Sequence, residues 1–455
     1  MPRVLRFLRS FVGHSVPHVD DRRVTLIVDD AEVPASYIRP PGRCPLPGWI
    51  VLHGITVPGR EHPALKRFAY ALASTGAAVL IPEVPAWRRL ELDPSVGDAT
   101  IEAAANHLTS SDEVAGSNLN LVGFSFGATQ ALMSATRPKI ARSVRAIVAF
   151  GGYCDLGRTV HFMTTGEHEW KGDCRRIEPD PYGRWIVVGN YLTDVPQFAH
   201  MRELQEAARE LAMEAGRLGT YAADPVYDPV KSRLRSRLPR EQQEIWDVFA
   251  PPYGIQAPLE ESRALAVKLF EATLRRHPGL DPKAVLRGVD QKVVLIHGHD
   301  DRLIPFTETL RLRSHLPPEA AVTSYVTWLF AHSREAERLG ALEYPRELAR
   351  ICGTPKVVRR ISTWRASSGC SGAGSEGPAP KPAHPVRNAS VATATSTARS
   401  TEQDVGASFC RPRFKWAITD AMPRSRSSGS ELGQESSGSV AALDCRSLSM
   451  YFSKK

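Results

Sequence analysis

Short apolar runs recur along the chain at residues 23–28, 33–38, 49–52, 77–81, 119–122, 146–150, 293–296 and 323–328, each with strand composition. Val293-Val294-Leu295-Ile296 is apolar at every position, as a strand covered on both faces of a parallel sheet must be. Helix-like stretches separate most of these runs. The alternation predicts an α/β fold: a mostly parallel sheet with helices on both faces, opened by an antiparallel hairpin. The interval from Phe150 to Val293 is too long for a simple crossover. It carries helical periodicity over 201–216, 240–248 and 259–276, the last two set apart by Pro251-Pro252-Tyr253-Gly254. An inserted helical subdomain is therefore expected over 156–285, dividing a core made of 21–155 and 286–364. Its aromatic residues Trp170, Tyr182, Trp185, Tyr191, Trp246 and Phe249 line a pocket or, for most of them, fill the subdomain's own core.

The two ends differ in pattern from this core. In the segment 1–20, Arg3, Arg6 and Arg9 alternate with Val4, Leu5, Phe7, Leu8, Phe11 and Val12, which on a helix makes one basic and one apolar face. That apolar face either makes peripheral contact with a membrane or packs on the core. The run is too short and too interrupted for a signal-peptide core or a spanning helix. From 365 to 455 the composition turns to Ser, Gly, Ala and Pro with scattered charge, too little apolar surface to offset the entropy of ordering, so a disordered tail is expected.

Composition narrows the function. The formal net charge of the 455 residues is +9, yet zinc-finger spacing, an aromatic RNA-binding pattern and a dense basic stripe are all missing, so nucleic-acid binding is not expected. The seven cysteines (44, 154, 174, 352, 370, 410 and 445) are odd in number and lack Cys-x-x-Cys. This speaks against a disulfide framework or a zinc site and makes the cytoplasm the default address. Oligomeric state is not legible.

Candidate chemistry begins at Leu121-Val122-Gly123-Phe124-Ser125-Phe126-Gly127, a Gly-x-Ser-x-Gly pattern after an apolar run and before a helix-like stretch that reaches Thr136. A serine hydroxyl on a sharp strand-to-helix turn needs neighbours without a Cβ, which Gly123 and Gly127 supply, so Ser125 is the candidate nucleophile. A carboxylate follows the run ending at Ile296, in His297-Gly298-His299-Asp300-Asp301-Arg302-Leu303-Ile304-Pro305. Ligands of open α/β sheets sit at that strand edge. Asp300 and Asp301 compete as the acid; Gly298-x-x-Asp301 followed by Ile304-Pro305 resembles the acid loop of a hydrolase family, which favours Asp301, and by the same resemblance Asp155, just past Phe150, is the rival from another strand. His332 lies in Leu329-Phe330-Ala331-His332-Ser333, which breaks the last strand ahead of a charged helix expected over 334–350. Histidine takes and returns protons near neutral pH, so His332 is the candidate general base.

The order Ser125, Asp301, His332 is that of α/β-hydrolase triads. From about Arg22 to Cys352 the chain resembles an α/β-hydrolase-fold serine hydrolase, esterase- or lipase-like, with the motifs around those three residues as the specific part. The resemblance implies eight strands and a helical cap inserted after the sixth. It also implies an oxyanion hole. Gly48-Trp49-Ile50-Val51-Leu52-His53-Gly54-Ile55 is similar to the His-Gly element of lipases, which carries the donors over to the backbone N–H groups of Ile55 and Phe126, with Gly54 and a buried His53 as structural parts. The implied reaction is acyl-enzyme hydrolysis of a small ester-like substrate, with no metal and no organic cofactor. Peptidase, thioesterase and perhydrolase chemistry share this scaffold, and a non-catalytic ligand-binding homologue is the alternative from another class.

Overall fold

The computed structural model of the protein describes residues 2–12, 17–42, 45–116 and 118–328. His332, the expected helix over 334–350 and the tail lie outside the described residues.

Helix α1 (Pro2–Val12) precedes an antiparallel hairpin of β1 (Asp20–Val28) and β2 (Ala31–Arg39). Asp29 and Asp30 turn it at φ 46° and 64°, the paired positive angles of a tight hairpin turn that matches strand twist. Next come β3 (Gly48–Leu52), α2 (Pro63–Ser74), β4 (Ala78–Pro82), α3 (Pro85–Arg88), α4 (Ser95–Thr109), β5 (Leu119–Phe124), α5 (Phe126–Ser134), α6 (Pro138–Ala141) and β6 (Val144–Phe150). After the insertion, β9 (Lys292–Gly298), α13 (Thr307–His315) and β10 (Thr323–Thr327) complete the sheet. Its eight strands run in the order β1-β2-β4-β3-β5-β6-β9-β10, antiparallel through β4 and parallel from β4 onward.

The apolar strands bury both faces, as their composition requires. Ile50, Leu52, Leu121, Ile147, Val293 and Leu295 face a layer that includes Ile101 and Leu108 of α4 and Leu132 of α5. Val51, Val79, Val122, Val148, Val294 and Ile296 face Leu65, Phe68 and Leu72 of α2. Helix α1 adds to that second layer. Phe7 and Phe11 set their rings edge-on to Phe68 at 5.6 and 6.2 Å, and Arg6 donates to the Ser74 carbonyl oxygen. Phe7 and Phe11 of the N-terminal segment thus pack on the core.

Between β6 and β9 lie α7 (Leu156–Thr165), the hairpin β7 (Glu167–Trp170) and β8 (Asp173–Arg176), then α8 (Pro181–Tyr191), α9 (Arg202–Leu218), α10 (Asp228–Arg237), α11 (Arg240–Phe249) and α12 (Leu259–Arg276). Trp185, Tyr191, Trp246 and Phe249 are buried in this helical unit, and Trp185 Nε1 donates to the Phe249 carbonyl oxygen at 3.0 Å. The unit leans on loops at the C-terminal edge of the sheet. Tyr191 Oη donates to the Leu92 carbonyl oxygen beyond β4 at 3.0 Å, and the Asp180 N–H donates to the Arg302 carbonyl oxygen beyond β9 at 2.8 Å. None of the described helices is long and apolar enough to cross a membrane.

Candidate active site

Ser125 stands between β5 and α5 at φ 55° and ψ −124°, a conformation that costs a residue with a Cβ on the order of 1–3 kcal/mol. It persists because neighbours lock the turn. The Ser125 N–H donates to the Phe150 carbonyl oxygen at 2.7 Å, and its own carbonyl oxygen accepts from Ala128 N–H at 2.9 Å. The flanking glycines interlock with the same turn. A Cβ on Gly123 would fall 2.2 Å from the Gly127 carbonyl oxygen, and one on Gly127 would fall 2.3 Å from that of His53. Neither backbone oxygen can retreat without moving the turn. Gly127→Ala is therefore expected to lose about 1–3 kcal/mol or more, seen as a lower thermal midpoint for the whole domain. An unchanged midpoint would refute the interlock.

The loop after β3 reaches the serine from one side. A Cβ on Gly54 would lie 3.1 Å from Ser125 Cβ and 3.6 Å from its Oγ, so this backbone runs close beside the hydroxyl and a side chain there would crowd the serine. His53 holds the loop from behind and is buried. With the proton on Nδ1, it donates to the Gly54 carbonyl oxygen at 2.7 Å and accepts from Val84 N–H on Nε2 at 3.1 Å. Glu83, also buried, pairs with Arg60 and Arg88 of the neighbouring loops. Phe126 opens α5, its ring edge-on to Trp87 at 5.3 Å.

On the other side, the loop after β9 separates the two aspartates. Asp300 is exposed and lies 3.5 Å from His299 Nδ1. Asp301 is buried, and its Oδ1 accepts from the N–H groups of Leu303 at 2.9 Å and Ile304 at 3.0 Å. Its Oδ2 lies 3.3 Å from His297 Nε2. His297 is a site residue that the strand pattern hid. With the proton on Nε2 it donates to the Ile304 carbonyl oxygen at 2.8 Å, while Nδ1 accepts from the Thr309 hydroxyl at 2.7 Å. The signal was a lone polar residue in a run otherwise apolar on both faces.

Asp155 is engaged elsewhere. It caps α7 by accepting from Arg158 N–H at 3.0 Å, and Lys283 Nζ donates to its Oδ2 at 3.1 Å. Burial pushes this carboxyl up, but the Arg158 amide and the Lys283 ammonium outweigh it and hold the group below its ordinary range. Beside it, Glu308 is fully enclosed and accepts from the N–H groups of Cys154 at 3.0 Å and Asp155 at 2.8 Å. Burial pushes its carboxyl up to about 7 despite those amides. These groups anchor the loop after β6.

The chain beyond the acid loop returns to it. Thr327 of β10 pairs with Gly298 of β9, and the His299 N–H donates to the Thr327 carbonyl oxygen at 2.8 Å. The His299 ring stacks on Phe306 at 4.9 Å and on Trp328 at 3.8 Å. The last described residue thus lies against the loop that carries Asp301. Ser125, Gly54 and Asp301 all stand at the C-terminal edge of the parallel strands, where open α/β sheets place their chemistry.

The sequence matches no protein-family model and no curated protein. Among solved structures it is similar to an acylaminoacyl peptidase of Pyrococcus horikoshii at 12% identity and a TM-score of 0.45, over 80% of this chain and 45% of that one. It is also similar to an esterase of Pyrococcus furiosus (14%, TM-score 0.39, 75% of this chain and 91% of that one). A third is a bacterial brefeldin A esterase (16%, TM-score 0.41, 77% and 78%). The chain spans less than half the length of the acylaminoacyl peptidases it matches. The strand order, the antiparallel second strand and the strained serine turn after β5 identify the architecture of this chain as the α/β-hydrolase fold.

Proposed function

We propose that this protein is a serine hydrolase that cleaves a carboxylic ester through an acyl-enzyme on Ser125. The observation that carries this reading is the strained turn that lifts Ser125 beside Gly54, with the buried, amide-held Asp301 at the end of a strand two places along the sheet. Ser125 Oγ attacks the acyl carbonyl while His332 takes its proton, and Asp301 orients the imidazole and stabilises the imidazolium. His332 follows Trp328 by four residues, a span of about 14 Å at full extension, and Trp328 already stacks in the acid loop. The amides of Ile55 and Phe126 are the donors for the developing oxyanion. The alcohol leaves with the proton from His332, and water activated by the same histidine releases the acid.

The test is turnover of p-nitrophenyl esters of graded chain length beside a thioester and an anilide. Ester turnover that outpaces the other two supports the reading, and the length preference reports pocket depth. Anilide turnover as the leading activity moves the assignment to peptidase chemistry. Tight ligand binding without turnover of any of them moves it to a non-catalytic binder.

A further inference from the structure

His297 follows Val293-Val294-Leu295-Ile296 near the end of β9, with its side chain buried. An imidazole in such a place is costly unless its nitrogens are bonded. Here both nitrogens find partners on the segment that follows the strand, and the Ile304 carbonyl oxygen decides the tautomer. That oxygen can only accept, so the proton sits on Nε2, 2.8 Å away. In the neutral ring Nδ1 then accepts from the hydroxyl of Thr309, on α13, at 2.7 Å. The same Nε2–H faces Asp301 Oδ2 at 3.3 Å.

The two oxygens of Asp301 are thus held from different directions. Oδ1 accepts from the N–H groups of Leu303 and Ile304, which belong to its own loop. The ring, fixed by the strand and by α13, meets Oδ2 and sets the plane of the carboxylate. Other charged side chains nearby are engaged elsewhere. Arg302 turns its guanidinium to Tyr221 Oη at 3.0 Å and Glu178 at 3.6 Å, Asp300 lies beside His299, and Glu308 takes the amides of Cys154 and Asp155. His297 instead turns its donor toward the acid. A donor on a carboxylate oxygen shares its charge, and so weakens its pull on a neighbouring cation.

Building on the reading of Ser125, His332 and Asp301 as a triad, we propose that His297 is a positioning residue for the acid. Its Nε2–H fixes the plane of the Asp301 carboxylate and shares part of its charge, which sets how firmly Asp301 holds the general base in its protonated form. Thr309 acts one step behind, keeping the ring in the tautomer that donates.

The test compares wild type with His297→Gln, whose amide NH2 takes the place of the Nε2–H, and with His297→Met, which keeps a flexible side chain there without a donor. In His297→Met, kcat on a p-nitrophenyl ester should fall about tenfold with KM little changed, as expected for a lost hydrogen bond to a charged group. The acidic limb of kcat/KM should move to higher pH by about half a unit, because a carboxylate whose charge is not shared favours the imidazolium, and the base must be neutral to act. His297→Gln should return the limb and most of kcat to wild type. A purely structural residue would lower the thermal midpoint and the active fraction while leaving the limb in place. Thr309→Val should shift the limb in the same direction by less, and it decides alone if His297→Met does not fold. A limb unmoved in both His297→Met and Thr309→Val overturns the proposal, and so does a shift in His297→Gln as large as that in His297→Met. Fluorophosphonate labelling and Asp301→Asn report on the triad separately. A wild type that labels, loses turnover in Asp301→Asn and keeps its limb in His297→Met isolates the failure to His297. A wild type that does not label, or an Asp301→Asn variant that keeps full turnover, overturns the triad reading and this one with it.

Discussion

Ser125→Ala is expected to lower kcat on an ester substrate by about a millionfold and to abolish labelling by a fluorophosphonate, with the thermal midpoint unchanged or raised. The size follows from how nucleophile and base act as a unit: without the hydroxyl, proton abstraction by the histidine has no purpose, and only binding and oxyanion stabilisation remain. The stability effect follows from the backbone. At φ 55° and ψ −124° a smaller side chain is no worse placed than serine, and among the described residues Ser125 Oγ makes no hydrogen bond that alanine would forfeit. Labelling kinetics, ester turnover and a melting curve on the same preparations check all three parts. Retained turnover in the alanine variant would remove Ser125 from the chemistry.

Asp301→Asn should lower kcat by about ten-thousandfold while the protein stays folded. The fixed hydrogen bonds dictate which way the amide sits. Oδ1 accepts from Leu303 and Ile304 N–H, so the asparagine carbonyl must take that place and its NH2 must occupy the Oδ2 position. There it meets Nε2–H of His297 at 3.3 Å, a donor facing a donor. Turning the histidine to its other tautomer would relieve that clash and leave the Thr309 hydroxyl as acceptor instead of donor, but it would set a lone pair against the Ile304 carbonyl oxygen. The variant therefore loses the charge that stabilises an imidazolium and strains the network behind it. Single-turnover acylation rates and kcat, each measured against pH, check it. A mild loss here beside a severe one in Asp155→Asn would return the acid role to the strand ending at Phe150.

All eight strands of the sheet were legible as runs of strand composition, the inner parallel ones most clearly because a strand covered on both faces has no polar side to disguise it. The helices over 202–218, 240–249 and 259–276 were legible by period. The other main elements of the insertion, α7, the hairpin, α8 and α10, were not. The hairpin of β7 and β8 reads Glu-His-Glu-Trp-Lys-Gly-Asp-Cys-Arg-Arg, with no apolar alternation. It is set by tertiary partners: Glu169 takes Arg158 and Arg311, and Lys171-Gly172 turns at φ 52° and 86°. Helix α8 contains Gly183 and Gly189, which weaken its propensity, and both sit against neighbouring side chains or backbone. Its capping signal, Asp180 followed by Pro181, was present and outweighed by the aromatic residues around it. In the site, Ser125, Gly54 and Asp301 could be placed from local motifs, whereas His297 showed only as a polar residue closing an apolar strand, its contacts with Asp301, Ile304 and Thr309 being set by the fold of the loop after β9.

The order in which the pieces of the sheet are made bears on synthesis. The serine turn and the loop after β3 come from the first 150 residues, but β6 finds its next neighbour only in β9, well over a hundred residues later. A chain emerging from the ribosome therefore exposes one long side of β6, along with the nucleophile turn, while the helical unit is still being made. Closing so long a loop is slow relative to local pairing. On the proposed assignment, the nascent chain would carry Ser125 before Asp301 and His332, and would stay chemically inert until the final strands dock.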